Sequence, residues 1–216
     1  MKLLIVPLFA LLAACQHPLE TGLSARNLGD RPKALFPVES PLPAGSVVFA
    51  LRHAEAGTQG RDPSLTAVGQ ARAIALGQLL SAAGVTHLAN SGLARTSETL
   101  EHLARAQKLS PTVIPPGETD ALVDWIVRAG PQAVACVAGH SNTIPALLEA
   151  LGADVSGIAL HEPSGERRFA HDRHERLFCV VGLGEGQVRS FELTVGAVAL
   201  ESAAKAGEEA TGETRE

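Results

Sequence analysis

The sequence predicts an α/β domain with three layers, α/β/α, in which helices cover both faces of a mostly parallel central sheet. The first observation is an alternation between residues 46 and 151, where short apolar runs typical of buried strands alternate with longer segments of helical periodicity. The second is composition, since 45% of the 216 residues are hydrophobic and 19% are charged. These proportions are typical of a globular domain with a sizeable core.

Each predicted element is set by its own apolar pattern and end signals. The first strand covers residues 46–51, and the first helix covers residues 67–83, with Thr66 as its N-cap and Gly84 beyond its end. The elements that follow are strand 86–91, helix 94–107, strand 112–114, helix 119–128, strand 133–138 and helix 143–151. A β-hairpin is predicted last, from apolar runs at 177–183 and 188–195 that flank Gly184-Glu185-Gly186-Gln187.

Residues 1–14 are predicted to be a targeting signal. Lys2 precedes an apolar stretch of about ten residues, which is too short to cross a membrane and typical of a signal peptide. Leu12-Ala13-Ala14-Cys15 resembles a bacterial lipobox, which implies lipid attachment to Cys15 and cleavage before it. Gln16 then favours the outer membrane, with the protein facing the periplasm. An ordinary secreted protein cleaved nearby is the alternative.

Two further segments flank the folded domain, which is expected to span residues 44–196. Residues 15–43 are polar and repeatedly interrupted by proline, so they are expected to tether the domain to the lipid. Residues 197–216 are acidic and poor in apolar side chains, so this tail is expected to be disordered.

Composition also bears on partners and redox state. The formal net charge is −5 and aromatic residues make up only 3%, which argues against nucleic acid as a partner. Cys136 and Cys179 each lie in an apolar run, where buried reduced thiols are the favoured interpretation. A disulfide between them is the alternative in an oxidising compartment. The oligomeric state is not predicted.

Charged side chains follow two of the predicted strands directly. Arg52 and His53 come after the first strand, and His140 comes shortly after the strand at 133–138. Arg95 lies in the first turn of the second predicted helix. Because parallel strands of an open α/β sheet bring their carboxyl ends to one edge, these four side chains are expected to converge on one pocket. Two arginines and two histidines suit a dianionic phosphate and a nucleophile that can carry it.

Four motifs contain or flank these residues. In chain order they are Leu51-Arg52-His53-Ala54-Glu55, Leu65-Thr66-Ala67-Val68-Gly69-Gln70-Ala71, Ser91-Gly92-Leu93-Ala94-Arg95-Thr96-Ser97-Glu98-Thr99 and Gly139-His140-Ser141-Asn142. Their order and spacing resemble the histidine phosphatase superfamily, whose fold is phosphoglycerate-mutase-like. Ala54 departs from the family's usual Arg-His-Gly, which matters only if the backbone there needs a positive φ.

The resemblance implies a role for each residue of the pocket. His53 matches the nucleophile, which becomes a phosphohistidine. Arg52 and Arg95 match the arginines that bind phosphate, and the protonated form of His140 would donate to the transferring phosphoryl group. Asn142 either orients the histidine or substrate or caps the following helix, with Ser141 as the competing cap. The family needs no metal, and no other cofactor is implied.

The proton donor to the leaving group is not evident from the sequence. Many family members carry a glutamate after the second arginine motif, in a segment whose aromatic and acidic signature is absent here. Glu118 lies in the corresponding region and is favoured, with Asp120 and Glu55 as alternatives; Glu55 could also contact substrate. Without a positioned carboxylate, the enzyme should prefer phosphohistidine-like or activated phosphates.

The polar stretch 161–175 is rich in acidic residues and histidines, but its spacing matches no established metal-ligand pattern. A polar surface loop near the pocket is therefore the favoured interpretation, and no metal site is predicted.

The predicted function is metal-independent hydrolysis of a phosphomonoester or a related phosphate through a phosphohistidine on His53. The expected partner is a phosphorylated small molecule or a phosphoprotein. The alternatives are an envelope lipoprotein that binds a phosphorylated ligand without catalysis, an envelope protein with a structural role, and a phosphoglycerate-type mutase. The sequence does not identify the substrate.

Overall fold

The computed structural model describes residues 23–30, 39–155, 158, 160–161 and 165–195. The predicted signal peptide and the predicted acidic tail lie outside these residues, as does part of the predicted tether. The helices are α1 (Ala67–Ser81), α2 (Ala94–Gln107), α3 (Thr119–Arg128) and α4 (Thr143–Ala150). The strands are β1 (Leu23–Asp30), β2 (Val47–Arg52), β3 (His87–Asn90), β4 (Thr112–Val113), β5 (Val134–Gly139), β6 (Leu160–His161), β7 (Glu166–Arg167), β8 (Arg176–Gly184) and β9 (Gln187–Val195). Within the described residues, no helix is both long and apolar enough to span a membrane.

The main sheet is mixed and has the strand order β1-β9-β8-β2-β5-β3-β4. Strands β2, β5, β3 and β4 run parallel to one another. Strands β8 and β9, which form the predicted hairpin, and strand β1 add an antiparallel half. The predicted parallel core is therefore confirmed for the alternating part of the chain, and the hairpin extends it by antiparallel pairing.

Helices cover both faces of this sheet, as the side chains of β2 illustrate. Val47, Phe49 and Leu51 pack with residues of α1 and α2 on one face. Val48 and Ala50 pack with residues of α3 and α4 on the other face. Every residue of β2 is buried, which explains why this strand is a continuous apolar run rather than an alternating one. The predicted three-layer α/β/α architecture is confirmed.

Strand β1 lies inside the segment that was expected to be a tether. Its eight residues pair antiparallel with β9 at the edge of the sheet. The prolines that predict an extended tether lie outside Leu23–Asp30, so every residue of this strand keeps the backbone N–H that a ladder needs. The sheet thus includes a strand that precedes the expected domain boundary at residue 44.

The two cysteines of the domain are free and buried. Cys136 of β5 and Cys179 of β8 both pair with Phe49, so β2 lies between them. Two strand spacings of about 4.8 Å exceed the roughly 7 Å over which a disulfide can join two Cα atoms. Burial raises the pKa of each thiol to about 12, so both cysteines act as small apolar packing groups.

Candidate active site

The carboxyl ends of the parallel strands bring the four predicted side chains together. Arg52 is the last residue of β2, His53 follows it, and His140 follows β5. The backbone N–H of His53 donates to the carbonyl of Gly139 at 2.9 Å, which extends the parallel ladder as far as the two histidines. The ring centroids of His53 and His140 are 5.5 Å apart. The convergence expected from the sequence is therefore present.

The hydrogen bonding of His53 decides which of its ring nitrogens can react. Its side chain is buried, and Nδ1 lies 2.7 Å from the carbonyl oxygen of Ala54. A carbonyl oxygen only accepts, so Nδ1 carries the proton and Nε2 keeps its lone pair. Burial lowers the pKa of His53 to about 3, and the positive charge of Arg52 acts in the same direction, against the raising effect of the Ala54 bond. The ring is therefore neutral at pH 7 and nucleophilic at Nε2.

The alanine that departs from the family motif fits without strain. Ala54 is fully buried, and it is not among the residues with positive φ. Its backbone N–H donates to Oγ1 of Thr99, a residue of α2. The position therefore has no conformational need for glycine.

The guanidinium group of Arg52 is hydrogen-bonded on one side only, and one of its N–H groups is left without a partner among the described residues. Its Nη1 donates to the carbonyls of Ala170 and His171, at 3.1 and 2.9 Å. Its buried Nε has no hydrogen-bond partner among the described residues. Burial and then the nearby charge of Arg95 lower the pKa of Arg52. A phosphate oxygen would satisfy this buried donor and offset the repulsion between the two guanidinium groups.

Arg95 reaches the same pocket from the start of α2. Its Nη1 lies 3.4 Å from a carboxylate oxygen of Asp62, and both oxygens of Asp62 accept from the backbone N–H of Ala94, at 3.0 and 2.9 Å. Asp62 thus binds the first turn of α2 and positions the arginine beside it.

A chain of hydroxyl groups orients His140. Oγ1 of Thr96 donates to the carbonyl of Leu93 at 2.8 Å, so it can only accept from Oγ of Ser91 at 2.9 Å. Ser91 has then used its one proton, and it accepts from Nε2 of His140 at 2.9 Å. A further proton on His140, for the phosphoryl group, would be carried on Nδ1.

His140 is neutral in the unliganded pocket. Burial lowers its pKa to about 4, and Arg95 and Arg52 add to this effect, whereas Asp62 opposes it. The predicted role needs the protonated form. A bound phosphate dianion would compensate the two arginines and raise the pKa of His140, so protonation and phosphate binding are coupled.

The turn between His140 and the helix that follows it is held by a residue that the sequence did not single out. Oγ1 of Thr143 accepts from the backbone N–H of His140 at 2.8 Å. Asn142 occupies the N-cap position of α4, but its side chain makes no capping hydrogen bond. The carbonyl of Ser141 accepts from the backbone N–H of Phe169. Of the two caps considered from the sequence, Asn142 therefore does not act as a side-chain cap.

The three carboxylates considered as proton donors lie in different surroundings. Glu55 forms a bidentate pair with Arg72, whose Nη2 is 2.6 Å from Oε1 and whose Nε is 2.9 Å from Oε2. Burial acts to raise the pKa of Glu55, but the hydrogen bonds and charge of Arg72 outweigh it, and the pKa is lowered. Glu55 is thus held ionised, which does not suit a proton donor.

Glu118 and Asp120 are both exposed at the start of α3. Glu118 lines a largely apolar cavity together with Asn90, Ser91, Pro115 and Thr143. The cavity therefore connects this carboxylate to the hydroxyl that holds His140.

Three residues of the site were not singled out from the sequence: Ser91, Asp62 and His174. Nδ1 of His174 lies 2.8 Å from the backbone carbonyl of His53, and the two rings are 5.5 Å apart. His174 precedes β8, and β8 runs antiparallel to β2, so its start lies at the edge of the sheet where β2 ends. The polar loop that the sequence predicts near the pocket is thus found there, although the sequence assigns no role to His174. Among the described residues, no group of three or more His, Cys, Asp or Glu side chains could hold a metal ion.

This fold and site define a class of enzyme. Near the carboxyl ends of its parallel strands, the sheet brings together a neutral histidine with a free lone pair, a second histidine and two arginines, which suits phosphoryl transfer by way of a histidine. Residues 48–116 match the family model of the histidine phosphatase superfamily (branch 1). This part of the chain is therefore similar to the histidine phosphatase superfamily, and together with the site it identifies a histidine-type phosphatase.

Solved structures agree with this fold. The protein histidine phosphatase SixA, in complex with tungstate, is similar with a TM-score of 0.51 and 18% identity, over 69% of this chain and 97% of that one. The mycobacterial glucosyl-3-phosphoglycerate phosphatase in complex with inorganic phosphate has a TM-score of 0.49 and 17% identity, over 71% of this chain and 98% of that one. The comparison with curated proteins gave no match.

Proposed function

We propose that this phosphatase hydrolyses phosphomonoesters, or a related phosphate, through a phosphohistidine on Nε2 of His53, without a metal ion. The observation that carries the proposal is the hydrogen bond from Nδ1 of His53 to the Ala54 carbonyl, which leaves Nε2 as the free lone pair of a neutral ring. The phosphorylated molecule acted on is a small metabolite or a phosphoprotein.

The proposed reaction has two displacements at phosphorus. Nε2 of His53 forms a bond to phosphorus while the bond to the leaving oxygen breaks. Water then attacks the phosphohistidine, the nitrogen–phosphorus bond breaks, and phosphate is released. Arg52 and Arg95 stabilise the charge on the phosphoryl oxygens in both steps. His140 is protonated once the anion has raised its pKa, and it donates a hydrogen bond from Nδ1 to a phosphoryl oxygen.

The experiment follows hydrolysis of p-nitrophenyl phosphate by the purified protein in the presence of a chelator. Wild type is expected to turn over, and His53→Ala is expected to lose at least about 1,000-fold in kcat because no other group can carry the phosphoryl group. His87→Asn is the matched control, because His87 begins β3 at the opposite edge of the sheet. Brief incubation with labelled phosphate ester should leave acid-labile label on wild type and none on His53→Ala. Equal rates for wild type and His53→Ala would overturn the proposal, and binding without turnover or label would favour the non-catalytic alternative.

We also propose that the enzyme is a lipoprotein attached through Cys15 to the outer membrane, facing the periplasm. The support is the sequence Leu12-Ala13-Ala14-Cys15-Gln16 after a short apolar stretch. Fractionation of cells that produce the full chain should find wild type in membranes and Cys15→Ser in the soluble fraction, with Cys136→Ser, a buried thiol of the sheet, as the matched control. Membrane association of Cys15→Ser would contradict lipid attachment.

A further inference from the structure

A third imidazole lies beside the nucleophile. The ring of His174 is 5.5 Å from that of His53, the same separation as between His53 and His140. His174 is half-buried in the loop before β8, and the same loop supplies the two carbonyls that hold Arg52. The loop is therefore a wall of the phosphate pocket rather than a remote surface segment.

The hydrogen bond of His174 leaves one defined nitrogen for proton transfer. Nδ1 donates to the backbone carbonyl of His53 at 2.8 Å, because a carbonyl can only accept. The neutral ring then carries its lone pair on Nε2. It can gain or lose a proton there while the bond that positions the ring stays in place.

The charges around His174 keep it neutral before substrate binds. Burial lowers its pKa, Arg52 and Arg72 lower it further, and the hydrogen bond to His53 and the carboxylate of Glu55 oppose them. A dianionic phosphate ester beside Arg52 would compensate part of the positive charge that lowers the pKa of His174. Asp172 of the same loop also acts on Arg52 and partly offsets its charge.

The carboxylates leave the acid role open. Glu55 is ionised and paired with Arg72, and Glu118 is exposed on the wall of the neighbouring cavity. The ring of His174 lies directly beside the ring of His53, on the side of the loop that binds Arg52.

We propose that His174 protonates the leaving oxygen in the first displacement and deprotonates the attacking water in the second. This rests on the proposed function. When the phosphate ester binds, Nε2 of His174 takes up a proton from solvent. As the phosphorus–oxygen bond breaks, that proton goes to the leaving oxygen, which departs as an alcohol. As water attacks phosphorus and the bond to His53 breaks, Nε2 takes a proton from that water, and the ring gives this proton back to solvent when phosphate leaves. An imidazole acid serves a poor leaving group, so the substrate class is alkyl phosphomonoesters rather than activated phosphates alone.

His174→Asn is the sharpest test, because the asparagine amide can still donate to the His53 carbonyl but has no nitrogen at the Nε2 position. Rapid-quench measurement of enzyme labelling separates the two displacements. With glycerol 2-phosphate, labelling should slow by about 100-fold or more; with p-nitrophenyl phosphate, whose leaving group needs no acid, it should slow by less than about threefold. Labelled enzyme should accumulate with the aryl substrate because water is no longer activated.

Two results would overturn the inference: an equal loss with both substrates without accumulation of label, or wild-type rates in His174→Asn while His174→Ala is impaired. The second would mean that only the hydrogen bond to His53 matters. His87→Asn controls for loss of a histidine, and thermal unfolding confirms that each variant is folded. If wild type itself carries no label on His53, the proposed function fails, and that result is distinct from either outcome for His174.

Discussion

The direction of a few hydrogen bonds decides the chemistry of each active-site imidazole. A carbonyl fixes the proton of His53 on Nδ1, and a hydroxyl chain that ends on the Leu93 carbonyl fixes the proton of His140 on Nε2. The two rings therefore have their free lone pairs on different nitrogens, Nε2 in His53 and Nδ1 in His140. Burial and the positive charge of Arg52 nevertheless lower the pKa of both. The residue type alone could not have distinguished them.

Ser91→Ala should slow catalysis by removing the acceptor that orients His140. A hydrogen bond of this kind contributes about 1 kcal/mol, so kcat should fall roughly fivefold with KM little changed. The measurement is steady-state kinetics with p-nitrophenyl phosphate, and Ser91→Thr should restore most of the rate because it restores the hydroxyl. Ser81→Ala, at a partly exposed serine at the end of α1, is the control. An unchanged kcat in Ser91→Ala would contradict the orienting role.

The lowered pKa values of His53 and His140 predict a specific loss of stability in acid. Their values in the folded protein, about 3 and about 4, lie below the value of 6.5 of a free histidine. Below pH 6.5 the unfolded chain therefore takes up protons that the folded chain does not. Stability is complete above pH 6.5 and falls by about 1.4 kcal/mol per pH unit for each of the two histidines down to about pH 4.

Urea unfolding at pH 6.0, 5.5 and 5.0 measures this slope. His140→Gln should reduce it by about 1.4 kcal/mol per pH unit, because one such histidine is removed. Val68→Ala, at an exposed position without a titratable side chain, should keep the wild-type slope. A His140→Gln slope equal to that of wild type would mean that His140 is protonated in the folded state.

The first turn of helix α1 packs very closely against the loop that follows His53. A Cβ placed on Gly69 would lie 2.0 Å from the carbonyl oxygen of Glu55, and the N-cap Thr66 binds that same carbonyl through its backbone N–H. The second of the four sequence motifs is therefore explained by packing, since only glycine lets the first turn of α1 lie against the residue two positions after His53.

Gly69→Ala should force α1 away from this loop. We expect a loss of about 1–3 kcal/mol in the free energy of unfolding, as for other overpacked sites, together with lower activity because the His53 loop moves with Glu55. Urea unfolding and kcat/KM measure the two effects. Val68→Ala, at a neighbouring position that is 54% exposed, is the control and should be nearly neutral. Wild-type stability in Gly69→Ala would show that the approach is not tight.

Elements with strong local signals were predicted closely, and elements that depend on distant partners were not. Both ends of α2 and α3 agree with the sequence prediction, because helical periodicity and flanking turn residues mark them locally. Strand β1 was missed because its pairing with β9 joins residues at opposite ends of the chain. The loop that carries His174 was expected near the pocket, but no role for this histidine followed, because its hydrogen bond to the His53 carbonyl depends on the antiparallel pairing of β8 with β2.

At the scale of the whole molecule, the parallel and antiparallel halves of the mixed sheet contribute differently to the site. The ends of the parallel strands position Arg52, His53 and His140, and α2 adds Arg95. The antiparallel half supplies the loop that holds Arg52 and carries His174. Strand β1 lies at the edge of this half, farthest from the pocket. Strand β9 reaches the surroundings of the pocket at its end, where the carbonyl of Val195 accepts from Nη1 of Arg72 at 3.3 Å.

Removal of β1 should therefore lower stability more than activity. A chain that begins at residue 39 lacks the β1–β9 ladder, which leaves β9 as an exposed edge strand that can pair with other molecules. Compared with a chain that begins at residue 23, it should have a lower urea midpoint and more self-association in size-exclusion chromatography. Its kcat on p-nitrophenyl phosphate, measured well below the unfolding temperature, should change less than about twofold, because two strands separate β1 from β2. Equal stability of the two chains would show that β1 adds nothing to the sheet, and a large loss of kcat in a folded protein would show that it supports the pocket directly.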